Sequence, residues 1–104
     1  MVIESKPGRL NVGVLGAGRV GAVLGAALRD SGHRVSGATG VSEATLSRIE
    51  TLLPGVPVVD QEQLVRDADL VLVTVPDDQI AAVVGGMATL GAWRPGQIVV
   101  HTSG

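Results

Sequence analysis

The run Leu10-Asn11-Val12-Gly13-Val14-Leu15 breaks into Gly16-Ala17-Gly18-Arg19-Val20-Gly21, and this junction constrains the fold more than any other stretch of the chain. Upstream, Val12, Val14 and Leu15 are β-formers in a short, nearly continuous apolar run, the pattern of a strand buried on both faces of a parallel sheet. Downstream the period changes. Val20, Val23, Leu24, Ala27 and Leu28 recur at helical spacing, and Ser31-Gly32 stops the helix. The glycines of this Gly-x-Gly-x-x-Gly pattern therefore sit where a buried strand turns into a helix. Gly16 suits the tight turn, Gly18 leaves the backbone bare for close approach of a pyrophosphate, and Gly21 lets the helix lie close to the strand. Free amides at the helix start and the positive end of its dipole attract negative charge.

The rest of the chain continues the alternation. A second, weaker strand is expected over Arg34–Thr39, then a helix over Val41–Leu53 with Ser42 as its cap. Val56–Val59 reads as a short strand in which Pro57 favours an edge position. A helix over Gln61–Ala68 leads to Asp69–Val75, the clearest strand pattern in the chain. A helix from Asp78 to about Leu90, weakened at Gly85-Gly86, precedes a last strand over Gln97–His101. Five strands alternating with four helices predict an α/β fold: a Rossmann-type doubly wound parallel sheet, strand order 3-2-1-4-5, with helices on both faces. Ligands of such sheets bind beyond the carboxyl ends of the strands, where the strand order reverses. Gly16–Gly21, Thr74–Gln79 and His101–Gly104 are the segments expected to meet there.

Composition narrows the class. The 104 residues suffice for a single domain over 1–104. With no Phe or Tyr and only Trp93 among the aromatics, the core must be built from Val, Leu, Ala and Gly. A net charge of −2 carries no footprint for nucleic acid. The absence of Cys removes disulfides, thiol catalysis and thiolate metal sites, and no metal is expected. The polar opening Met1–Leu10 lacks a signal segment, and no apolar run approaches the roughly 18–20 residues of a membrane span, so a cytoplasmic protein with no membrane partner is expected.

Beyond the glycines, one absence matters. The acidic residue that would hold the ribose hydroxyls of NAD falls about 20 residues past the first glycine, near Ser36–Gly40, where there is no Asp or Glu. Thr39, Ser42 and Arg48 offer hydroxyls and a cation for a 2′-phosphate instead, which favours NADP, with NAD as the alternative. Ser42 equally suits a plain helix cap and Arg48 a solvated helix face. Pro76 fixes the loop after the fourth strand, and Asp77 or Asp78 is expected to cap the next helix or to hold a ribose. His101 suits a proton donor, a substrate ligand or a hydrogen-bonded structural residue, and Ser103 a carboxylate ligand or a turn. Trp93 is expected to pin the loop before the last strand, and His33 to sit at a helix end beside the dipole.

Three segments together, Val-Gly-Val-Leu-Gly-Ala-Gly-Arg-Val-Gly from Val12, Val-Pro-Asp-Asp from Val75 and the terminal His-Thr-Ser-Gly, resemble the Rossmann-like domain of NAD(P)-dependent oxidoreductases. The relatives are pyrroline-5-carboxylate reductase, ketopantoate reductase and the β-hydroxyacid dehydrogenases. The resemblance spans essentially the whole chain. It implies that Gly16, Ala17, Gly18, Arg19, Val20 and Gly21 face the pyrophosphate, that Val75 and Pro76 line the ribose and nicotinamide, and that His101 to Ser103 border the substrate. Such relatives continue into a helical domain that supplies much of the substrate pocket and dimer interface. The expectation is thus a dinucleotide-binding part of an oxidoreductase acting on a small carboxylate or imine substrate, with room for a homo-oligomer. A nucleotide-sensing regulatory module without catalysis is the alternative, because fold does not settle function.

Overall fold

The computed structural model describes residues 9–101. Its elements in chain order are β1 (Asn11–Leu15), α1 (Arg19–Asp30), β2 (Arg34–Ala38), α2 (Glu43–Leu52), α3 (Gln61–Asp67), β3 (Leu70–Val73), α4 (Asp77–Thr89) and β4 (Ile98–His101). The strands form one parallel sheet in the order β2-β1-β3-β4. The order reverses between β1 and β3, so the carboxyl ends of those strands flank the switch point.

The fold class is the one expected, a Rossmann-type sheet with helices on both faces. Ile49 of α2 and Leu53 just after it, with Leu24 and Leu28 of α1, pack on Val12, Val14, Val35 and Leu72 on one face. Leu64 and Val65 of α3, with Ile80, Val83 and Met87 of α4, pack on Leu15, Val71 and Val73 on the other. The central strands β1 and β3 are almost wholly buried because both faces are covered, which is why their sequences run apolar without alternation. Leu15, Leu53 and Leu64 are the largest fully buried side chains, each worth about 1.5–3 kcal/mol of burial.

The expected third strand is the main difference. Val56–Val59 does lie outside β2, at the position the order 3-2-1-4-5 requires, but it makes a single parallel bridge between Val58 and Ala38. Two backbone bonds hold it: Ala38 N–H donates to Pro57 O at 3.1 Å and Val59 N–H to Ala38 O at 3.0 Å. Pro57 has no amide hydrogen to extend the ladder, and Val56 turns inward to the α1/α2 core. Gly85 and Gly86, by contrast, do not interrupt α4, which runs unbroken from Asp77 to Thr89.

Candidate functional site

The site begins with the turn after β1. Gly16 has φ of +80°, the left-handed region that strains any residue with a Cβ, and a Cβ there would lie 2.6 Å from Val75 Cγ1. Thr39, at the end of β2, holds this turn from one side. Its Oγ1 accepts from Gly16 N–H at 2.7 Å, and its carbonyl accepts from Ala17 N–H at 2.9 Å. Its own amide donates to Val14 O at 2.9 Å, and the residue is buried. Thr74, at the end of β3, holds the turn from the other side, donating its hydroxyl to the Gly16 carbonyl. The turn is thus clamped between the strands on either side of β1.

Gly18 occupies the N-cap position of α1 without a side chain to cap it, and no acidic residue stands in the first turn. Ala22 N–H makes the first helical bond, to Gly18 O at 2.9 Å. The amides of Arg19, Val20 and Gly21 precede it and have no intrahelical acceptor, which leaves donors and the positive end of the dipole facing outward. Gly18 has φ of −69° and ψ of −177°, an extended conformation open to any residue. A Cβ on it would meet only Thr74 O, at 3.6 Å. Nothing within the protein demands glycine at this position, so the bare backbone fits a demand from outside the chain. A pyrophosphate seated on these amides is such a demand.

Residues 2–104 match the family model of the Rossmann-like domain. The chain belongs to the Rossmann-like domain family. Solved structures agree with that. A semialdehyde dehydrogenase NAD-binding protein from Cupriavidus necator, in complex with calcium and NAD, is 30% identical with a TM-score of 0.74, covering 89% of this chain and 33% of that one. The 3-hydroxyisobutyrate dehydrogenase of Mycobacterium tuberculosis is 26% identical with a TM-score of 0.69, covering 91% of this chain and 32% of that one. An imine reductase variant from Myxococcus stipitatus, in complex with NAD+, shares the fold at 24% identity and a TM-score of 0.73, covering 91% of this chain and 32% of that one. The Rossmann-like domain therefore spans about a third of the length of these proteins. No curated protein matches the chain in sequence.

In this Rossmann-like domain the glycine turn borders a crevice of about 470 Å³, lined by Gly16, Ala17, Gly18, Thr39, Val75 and Pro76 among others. An adjoining depression of about 320 Å³ runs past Arg19, Val20 and Asp77 and shares Gly18, Thr74, Val75 and Pro76 with it. Gly16–Val20, Thr39, Val75 and Pro76 are thus brought together. Gly21 is buried beneath them. Arg48 reaches in from α2 and donates from Nη1 to Ala17 O at 3.1 Å. Ser42 is committed elsewhere: its Oγ caps α2 by accepting from Thr45 N–H at 3.1 Å and donates to Thr45 Oγ1 at 2.9 Å.

The carboxyl end of β4 stands apart. His101 pairs in register with Val73, is exposed, and lines neither cavity. Ser103 lies outside the described residues. Asp77 and Asp78 occupy the first turn of α4 and not its cap, which falls to Pro76 without a side-chain bond. There the two carboxylates complement the helix dipole. Trp93 does pin its loop, donating from Nε1 to Val84 O at 3.1 Å.

Thr74 falls in a segment expected to meet at the crevice, but its bond to the Gly16 carbonyl has no signal in the sequence. Thr45 and Asp60 were not expected there, and Thr45 carries no signal in a linear pattern, since its place is set by how α2 seats on the sheet. Asp60 had a readable one. It directly follows the Val56–Val59 segment, so its place at the carboxyl end of a sheet position was available. It lines the crevice while its Oδ1 caps α3 by accepting from Gln63 N–H at 2.8 Å.

Proposed function

We propose that this domain binds a nicotinamide dinucleotide, with NADP the preferred form, as the cofactor-binding part of an oxidoreductase acting on a small carboxylate or imine substrate. Gly18 carries the reading: a glycine with unstrained backbone and open space around it, at the free amide end of α1. The oxidoreductase neighbours support the class of chemistry. When bound, the cofactor would carry hydride to or from the substrate. The chain's residues bind and orient it: the amides of Arg19, Val20 and Gly21 take the pyrophosphate beside the bare Gly18 backbone, Thr39 and Thr74 hold the turn, and Val75 and Pro76 line the path toward the nicotinamide. His101, at the carboxyl end of β4, borders the substrate. A cytoplasmic, homo-oligomeric oxidoreductase is the setting that fits this reading.

The NADP preference rests on Arg48. Its guanidinium is beside Ala17, and the end of β2 from Ser36 to Gly40 has no carboxylate to repel a 2′-phosphate. Asp60, which lines the crevice, counts against a further phosphate, with one oxygen committed to capping α3. Calorimetry with NADPH and NADH tests both parts. Gly18→Ala keeps the wild-type melting temperature, because no neighbour is crowded, but weakens both nucleotides by about tenfold or more, the loss of a pyrophosphate contact. Arg48→Ala weakens NADPH more than NADH. Failure of the wild type to bind either nucleotide at millimolar concentration refutes the site, and equal losses in Arg48→Ala refute the NADP preference alone.

A further inference from the structure

The sheet has a second feature at its other end. Where β1, β2 and β3 begin, a cavity of about 590 Å³ is lined by Arg9, Arg29, His33 and Arg34, together with Asn11 and Asp69. The strands are parallel, so this cavity is a full strand length away from the glycine turn. Among the described residues Asp69 is its lone lining carboxylate, and that group is already engaged. Its Oδ2 accepts from Asn11 N–H at 2.9 Å, and its Oδ1 lies 3.9 Å from Arg94. Three arginines against one aspartate leave two uncompensated positive charges among the described residues, in a chain whose net charge is −2.

The cationic groups are held and yet largely unspent. Arg9 donates from Nε to Gly32 O at 3.1 Å, and Arg29 from Nη1 to Pro54 O at 2.7 Å. Each anchors its guanidinium with one N–H and keeps the others. Among the described residues Arg34 spends none on side-chain bonds and none of the three forms an ion pair. His33 accepts the Leu10 amide on Nδ1 at 3.1 Å, so the neutral ring carries its proton on Nε2, as a further donor. Gathering like charges in one concavity is unfavourable unless a counter-charge compensates them. Guanidinium forks match phosphate and carboxylate oxygens in pairs.

We propose that this cavity binds a compact small-molecule anion with at least two negative charges, of the polyphosphate or polycarboxylate type, at a site separate from the dinucleotide crevice. The site does not depend on the cofactor reading. The test is an amide-resolved NMR titration of the full chain with pyrophosphate and, separately, citrate, at ionic strength held constant with chloride. Saturable shifts at Gly32–Ser36 and at Gly55 and Val56 are expected with one or both probes, and whichever saturates at lower concentration identifies the anion class. Arg34→Glu, an exposed position at the start of β2, weakens that binding by about tenfold or more, with amide dispersion preserved as the check on folding. Shifts confined to Gly16–Gly21, shifts that never saturate, or binding unchanged in Arg34→Glu would each overturn the proposal.

Discussion

A Cβ on Gly21 would run into the Thr74 side chain, with Thr74 Cβ at 2.9 Å and Cγ2 at 3.1 Å. The contact that the glycine pattern reserves for helix against strand is thus made, at this position, with the residue that also holds the Gly16 carbonyl. Gly21→Ala is expected to cost about 1–3 kcal/mol, the range for overpacking, read from urea denaturation. Thr74→Ala removes Oγ1 and Cγ2 and leaves only the Cβ to crowd, so the double variant is expected to lose less than the sum of the two single losses. Additive losses would show that Gly21 and Thr74 do not meet. Thr74→Val keeps the shape and deletes the donor, and is expected to cost about 1 kcal/mol while loosening the turn and weakening dinucleotide binding. The glycine's need for space was legible in the sequence. Its partner, more than fifty residues along the chain, was not.

The short helices depend on their caps. Ser42 accepts from Thr45 N–H and Asp60 from Gln63 N–H, each satisfying one of the free donors of its helix. Ser42→Ala and Asp60→Ala are each expected to lose about 1 kcal/mol, measured by thermal or chemical unfolding. Asp60→Ala bears on a helix of only seven residues, α3, and so is expected to show also as faster amide exchange along Gln61–Asp67. The bridge outside β2 makes its own exchange pattern. Ala38 and Val59 donate across it, whereas Val58 does not, so the Ala38 and Val59 amides are expected to exchange more slowly than that of Val58. The elements were legible from apolar period and cap residues. The reduction of Val56–Val59 to one bridge was not, because four consecutive positions with three valines look the same whether they pair along their length or at one residue.

The molecule is held together by two apolar layers on one thin sheet, and β1 touches both. Gly13 in β1 allows the close seating of α3: a Cβ there would lie 2.6 Å from Leu64 Cδ2. Leu64, buried against the sheet from α3, is expected to cost about 2–5 kcal/mol when changed to Ala, as a drop in the urea midpoint. A domain of this size has little stability to spare, since only about 60–65% of its unfolded surface is buried. Bound nucleotide compensates in proportion to its affinity: at a hundred times its Kd, NADPH is expected to add about 2.7 kcal/mol, seen as a rise in melting temperature. At the far edge, every residue of β4 is exposed, Ile98, Val99 and Val100 included.

By itself the sequence determined the alternation of strand and helix, the doubly wound class, and the turn at Gly16, Gly18 and Gly21. Those follow from local quantities: apolar period, cap chemistry, the spacing of the glycines, and the conformation at Gly16 that only glycine takes without strain. Tertiary structure decided the rest. It committed the Ser42 hydroxyl to a cap, brought Arg48 to the Ala17 carbonyl, set Thr39 and Thr74 on either side of the turn, and put Asp60 in the crevice. It also kept His101 out of both cavities beside the turn and gathered Arg9, Arg29 and Arg34 at the opposite end of the sheet. Each of these depends on which strand lies beside which, and on how closely a helix seats on the sheet. Strand neighbours and helix seating are set by packing between residues far apart in the chain, and no local pattern encodes them.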